Sequence, residues 1–360
     1  MSQHTRGHLG YGRRMASSGA PAPPPLGRRE ALIFLVGLPV ALAGCNATDR
    51  TIDQPGTDTS ATSSPSASSS PTPSPTPAPT PNPRIVQGAA LEQGLADLAG
   101  ATITGTQHTE LSEGQRALLA AVRTGHLDHA AALHGLEATN GPTSAPPASP
   151  RPGMVPVDEA IATLVKGERG VARSHEKAAL DSSGFPALLW ASMAVAASSY
   201  ASALGNDAGA PTASAKRRPM PALSADEAIA ELVAQLHALV YGYQLAIGKL
   251  PVLGKRHARA IAELFRVRIL RERLISILTK RSVKVPVPKS AYVPSVRVHD
   301  AASAGKLIAH MQSALLPFCG LFVAAAANSA DRKLALDTLS ATARTARSWG
   351  APISAWPGWR

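Results

Sequence analysis

Aromatic residues make up only 4% of the 360-residue chain, and there are two cysteines, Cys45 and Cys319. So few aromatics leave little for the half-buried strands of a β-sandwich, and an Ala- and Leu-rich composition favours helix. Two cysteines cannot build a disulfide framework or a four-cysteine zinc site. The sequence contains no Gly-rich phosphate loop, no G-x-S-x-G, no H-E-x-x-H and no C-x-x-C. The usual signatures of phosphate transfer, acyl hydrolysis, zinc proteolysis and thiol redox are therefore missing, and no catalytic residue and no cofactor is expected. Acids are few beside bases, 24 against 36, for a net charge of +12. Apolar runs are short as well. Ala31–Gly44 and Ala314–Ala327 have 14 residues each, where a membrane-spanning helix needs about 20.

What is present begins with an address. Arg28 and Arg29 precede the run Ala31–Gly44, which closes with Leu42-Ala43-Gly44-Cys45. That length suits the apolar segment of a signal peptide, and small residues at 43 and 44 suit a peptidase pocket. The four residues resemble a bacterial lipobox, which implies that Cys45 is acylated, with palmitate as an attached chain, and becomes the first residue of the mature protein. Residues 1–44 are then a lipoprotein signal peptide. The start could lie at Met15, and the Arg pair fits twin-arginine as well as general export. The expected location is the outer face of the cell membrane, held by lipid. Residues 45–83, rich in Ser, Thr and Pro, cannot bury apolar area and form an extended stalk.

From Arg84 the apolar period becomes helical, interrupted by Pro and Gly clusters. The pattern predicts helices over about 85–99, 113–136, 157–181 and 186–204, then over 225–250, 255–280, 301–328 and 331–349. Ser224 ahead of Asp226 and Glu227 is an N-cap with acids in the first turn, and Pro156-Val157-Asp158-Glu159 and Ser329-Ala330-Asp331 are similar starts. The halves repeat: Val157 to Val298 and Pro211 to Pro352 are both 141 residues apart, by subtraction. Duplication of a four-helix unit follows, with a first bundle over 84–213, a linker over 214–223 and a second bundle over 224–360.

In the second half, Gln235-Leu-His237-Ala-Leu-Val-Tyr241-Gly242-Tyr243, an Arg-rich second helix, Pro286-Val-Pro288-Lys-Ser-Ala-Tyr292, Trp349 and Trp356-Pro357-Gly358 resemble a family of bacterial ferritin-like domains of unknown function, often found on lipoproteins. The resemblance covers about 224–360. It implies an all-α fold of two tandem ferritin-like four-helix bundles, the first a diverged copy, and it implies no activity.

A ferritin-like di-metal site takes carboxylates from two helices and Glu-x-x-His from two others. The second half lacks this set. Leu236 stands where family members often carry Glu, and Arg268-x-x-Arg271 occupies the spacing where Glu-x-x-His is wanted; His310 has no nearby acid. The first half offers His126-x-x-His129 with Asp128 beside it, then Glu168, His175 and Glu176. Glu168 and His175 share a face two turns apart, about 10 Å. His126, His129 and His175 are weak candidates for one metal ion; the expectation is no metal, with these residues on solvated helix faces. Cys319 and the tyrosines 241 and 243 read as packing residues, the hydroxyls at the bundle edge.

Charge divides the halves. Residues 84–213 carry 8 bases and 12 acids, whereas 224–360 carry 19 and 8, and Lys255–Lys289 alone holds eleven bases against Glu263 and Glu272. This predicts a non-catalytic binding or scaffold protein. Arg266, Arg268, Arg271 and Arg273 would meet an anionic lipid, an envelope polyanion or a partner protein, not nucleic acid. The alternative is a metal-binding or oxidase-type protein using the first bundle. A further possibility is that the acidic half docks on the basic helix.

Overall fold

The computed structural model describes residues 82–105, 111–137, 156–206, 212–213 and 217–360. The expected signal peptide, Cys45 and nearly all of the expected stalk lie outside the described residues. Residues 73–360 form one compact unit. That unit has its own continuous core and so is the part expected to fold by itself.

Each half supplies four helices. They are α1 (Pro83–Gly105), α2 (Glu113–Glu137), α3 (Val157–Leu180) and α4 (Gly184–Leu204), then α5 (Ala225–Ile247), α6 (Lys255–Lys280), α7 (Ala301–Ala325) and α8 (Ser329–Ser348). Their starts are written in the sequence. Ser224 and Glu227 form a reciprocal capping box, as do Asp300 and Ser303, and the Asn328 side chain accepts the Asp331 amide, one residue earlier than the start expected at Ser329. Among the described residues the chain is all-helical apart from a two-residue parallel bridge between β1 (Thr212–Ala213) and β2 (Ile353–Ser354).

That bridge joins Thr212 to Ile353 and Ala213 to Ser354, an offset of 353 − 212 = 141. The same offset superposes buried positions. Gly88, Glu92, Leu95, Ala96, Ala99 and Thr102 of α1 fall on Ile229, Val233, Leu236, His237, Val240 and Tyr243 of α5, all buried. Packing repeats too: α1 lies on α2, α3 on α4 and α1 on α3, matched by α5 on α6, α7 on α8 and α5 on α7. One contact differs. α2 packs on α4, whereas α6 reaches α8 mainly through side chains, Arg259 to Ser348 and Glu263 to Trp349.

α4 is the common wall. It packs on α3, α7 and α8, and it is buried along most of its length, including Leu188, Trp190, Met193 and Ala197. A helix enclosed on all sides must be apolar all round, which explains why 184–204 contains no charged residue. α4 and α7 are long and apolar enough to cross a membrane, and both spend that character on the core. The larger hydrophobic cluster runs from Leu133 and Trp190 into Leu236, Leu274 and Phe322, so the halves share one core. The acidic half does not dock on the basic helix: α6 packs against α5, and the halves meet through α4 with α7 and α8.

Candidate metal centre in the first half

Glu92 sits in the apolar stripe of α1, at the helical spacing that also buries Gly88, Leu95, Ala96 and Ala99. A carboxylate there has to find partners inside. It finds three imidazoles. Glu92 Oε2 lies 2.5 Å from His126 Nδ1 and 2.9 Å from His129 Nδ1, and Oε1 lies 2.6 Å from His175 Nε2. His126 Nε2 is 2.7 Å from Glu168 Oε1, and His129 Nε2 is 2.8 Å from the Ala355 carbonyl. All five side chains are 0–1% exposed. The reading of these histidines as solvated polar residues is therefore overturned; Asp128 and Glu176 are the exposed ones.

Helix spacing assembles the set. His126 and His129 share a face of α2 at i, i+3, and Glu168 and His175 lie two turns apart on the buried stripe of α3. The α3 pair does not converge on one point. Glu168 faces His126, while His175 reaches the other side of Glu92. Three aromatic rings close the shell: Tyr200 lies 5.5 Å from His126, Trp190 5.1 Å from His175 and Trp356 4.5 Å from His129, between ring centres. Gly88 and Gly125 make room for two of them, because a Cβ at either would run into Trp190 or the Tyr200 hydroxyl.

Proton positions follow from the partners. A carbonyl only accepts, so His129 donates from Nε2 to Ala355, and a neutral ring then turns its Nδ1 lone pair toward a Glu92 oxygen. Two lone pairs at 2.9 Å need a proton or a cation between them. His126, held between two carboxylates, has the same need at whichever ring nitrogen does not carry the proton. Burial pulls its pKa down, but the charges of Glu168 and Glu92 and their hydrogen bonds outweigh that and push it up to about 10. Burial likewise raises Glu92, yet the charges of His129 and His126 hold its carboxyl well below the usual range. Glu168 is raised by burial despite His126, and its Oε2 is buried without a hydrogen-bond partner.

Glu92, His126 and His129 offer ligand atoms all within 4.8 Å of one another, and among the described residues only this group of His, Cys, Asp or Glu does so. The donor types suit a divalent transition metal such as zinc, iron, manganese or cobalt. Glu168 and the Ala355 carbonyl stand as the outer acceptors that fix the orientation of His126 and His129.

The second half is built differently at its centre. Glu263 accepts from Tyr243 Oη (2.9 Å) and Trp349 Nε1 (2.6 Å) at one oxygen and from Arg259 Nε (2.9 Å) at the other, and Gln312 donates to the Tyr243 hydroxyl. This carboxylate is already neutralised by Arg259 and fully bonded. Tyr243 is fully buried in that network, not at the bundle edge as expected, while Tyr241 stacks near Tyr292. Cys319 is buried against Thr342, and burial pushes its thiol up to about 12. Of the predicted basic residues, Arg266, Arg268 and Arg273 are exposed, whereas Arg271 is largely covered and pairs with Glu272.

Residues 228–360 match a family model described as Domain of unknown function (DUF4439). A solved structure similar to part of the chain is that of a conserved hypothetical protein, rv2844, from Mycobacterium tuberculosis. It is 27% identical, covers 35% of this chain and 94% of its own, and has a TM-score of 0.33. No curated protein matches. The matched region is the half without the His/Glu cluster, although it contributes Ala355 and Trp356 to it.

Proposed function

We propose that this is a metal-binding protein of ferritin-like architecture whose first half holds one divalent transition-metal ion on Glu92, His126 and His129, with His175 beside Glu92. The observation that carries it is the pair of His129 contacts. Nε2 is committed to a carbonyl while Nδ1 points at a buried carboxylate, as a ligating imidazole does. The buried Glu168 Oε2 has no hydrogen-bond partner, a polar oxygen that a nearby cation would satisfy. Helix hairpins with ligands projecting inward support the ferritin-like reading. α4 gives no ligand, so the set is one for a single ion. The cluster is sealed from solvent, which favours holding an ion or passing an electron over acting on a bulky substrate. Acylation of Cys45 and the stalk would hold the centre on the outer membrane face.

The test is metal content. Residues 73–360, purified and incubated in turn with iron(II), manganese, zinc and cobalt, should retain about one ion per chain of at least one metal. Glu92→Gln and His129→Gln, checked as folded by circular dichroism, should retain less than a tenth of that. A folded parent chain that keeps none of the four metals overturns the reading.

A further inference from the structure

α6 packs along one side on α5, and on the same inner side Arg259 and Glu263 reach Ser348 and Trp349 at the end of α8. Its opposite side carries three large apolar side chains at four-residue spacing: Ile261, Phe265 and Ile269, which are 47%, 64% and 54% exposed. They form one line about 12 Å long. Val252 and Leu253, 75% and 101% exposed, stand in the turn just ahead of the helix. Contiguous exposed apolar side chains are costly in water and mark a surface that is covered in use.

Cations border the line on both flanks. Taking 100° per residue around the helix, Lys255, Arg266 and Arg273 fall on one side and Arg268 on the other, all four exposed. None of the four has an ion-pair partner among the described residues; the acid on this face, Glu272, is taken by Arg271. We infer that this face of α6 docks on an anionic lipid bilayer, with Ile261, Phe265 and Ile269 at the headgroup–acyl boundary and the cations among the headgroups. The combination selects the occupant. A soluble polyanion would satisfy the arginines and leave Phe265 in water. A second copy would cover Phe265 while bringing one set of arginines against another, because a two-fold contact repeats the same charges. A bilayer with anionic headgroups satisfies both. The inference is independent of the metal centre and of whether Cys45 is acylated.

The experiment uses residues 73–360, because the apolar segment 31–44 would bind lipid by itself. Co-sedimentation is measured with vesicles of phosphatidylcholine alone and with 30% phosphatidylglycerol, at 0.1 M salt. The parent chain should partition onto the anionic vesicles at least tenfold more strongly than onto the neutral ones. The triple variant Arg266→Glu, Arg268→Glu, Arg273→Glu should lose about a hundredfold or more, since each surface cation contributes roughly a fivefold factor near such a membrane. The triple variant Ile261→Ser, Phe265→Ser, Ile269→Ser, with all three sites exposed and folding therefore spared, should lose about tenfold. Equal binding to both vesicles overturns the inference. So does loss on charge reversal with none on apolar replacement, which would mark a soluble polyanion site. A halved native mass for the apolar variant with unchanged vesicle binding also overturns it, in favour of a dimer face.

Discussion

The two halves are one scaffold with opposite interiors. At the 141-residue offset, Glu92 corresponds to Val233, His126 to Val267, His129 to Leu270, Glu168 to Ala309, His175 to Leu316 and Tyr200 to Ala341. Every polar member of the cluster has an apolar counterpart. Val267, Leu270 and Ala341 line a cavity of about 220 Å³ that α6 and α8 share with Leu236 and Leu239 of α5 and with Leu315 of α7. The same place in the bundle is filled with charge in one half and left partly hollow in the other. Four-helix packing tolerates either interior, provided each buried polar group has its partner. The scaffold therefore does not dictate a metal centre; the side chains at a handful of inward positions do.

The sharpest way to break this comparison is to exchange the central residues. Glu92→Val strips three buried imidazoles of their shared acceptor, and Val233→Glu places a carboxylate where only apolar groups await it. Each leaves an uncompensated buried charge, which costs about 3–5 kcal/mol. Urea unfolding should show both losses. The interiors would be less different than the geometry implies if Val233→Glu cost under about 1 kcal/mol.

Next in size is the contribution that crosses between the halves. Trp356 is 4% exposed, packs on His129 and stacks beneath Arg217 at 4.5 Å, and it follows the residue whose carbonyl fixes the His129 tautomer. Trp356→Ala should cost about 3 kcal/mol of stability. It should also weaken metal retention roughly 10- to 100-fold through the displaced Ala355 carbonyl. Phe at this position should restore most of the stability. Normal metal retention by the Ala variant would make the tail a mere lid.

A smaller effect separates the halves by pH. In the metal-free protein the pKa of His126 is raised from 6.5 to about 10, so its stabilising pair is complete below pH 6.5 and is lost as the pH climbs toward 10. The melting temperature of the metal-free chain should fall across that window, and His126→Leu should flatten the fall. With zinc bound the fall should also flatten, because the ion takes the proton's place.

Much of this organisation was legible in the sequence, for reasons that differ by feature. Helix bounds followed from apolar spacing and from Pro and Gly punctuation; α6 spans 255–280 as the pattern implies. His126-x-x-His129 and His175 were visible as candidates. Glu92 was not singled out, although it was findable: it interrupts the stripe Gly88, Leu95, Ala96 and Ala99, and a lone acid on a core face needs a partner. Glu168 and His175 are indeed too far apart to act as one chelate. What spacing along α3 could not reveal is that the two oxygens of a carboxylate on another helix span part of that gap. Ala355 lies 226 residues from His129 and contributes a backbone carbonyl, which leaves no trace in residue type. On α6, Arg266, Arg268 and Arg273 are exposed while Arg271 is largely covered; Ile261, Phe265 and Ile269 have the same spacing as a core stripe, and only the packing of α6 on α5 and on the end of α8 shows which side faces out.

The smallest expected effect fills the hollow. Ala341 is the counterpart of Tyr200, but it stands exposed at the mouth of the cavity, whereas Tyr200 is fully buried in the first half. The cavity beside Ala341 is bordered by Leu236, Leu239, Val267 and Leu270 at its apolar end and by Arg266, Asp337 and Thr345 elsewhere, so a larger apolar side chain reaching inward meets the apolar end. Ala341→Leu adds about three carbons that are only partly covered at this mouth, each worth well under the roughly 0.8 kcal/mol of a fully buried one before rotamer entropy is subtracted. A net gain of about 0.5 kcal/mol in urea unfolding is expected, with metal retention in the first half unchanged. A loss of more than 1 kcal/mol would mean that α6 and α8 close over this space in solution, making the second interior as tightly packed as the first.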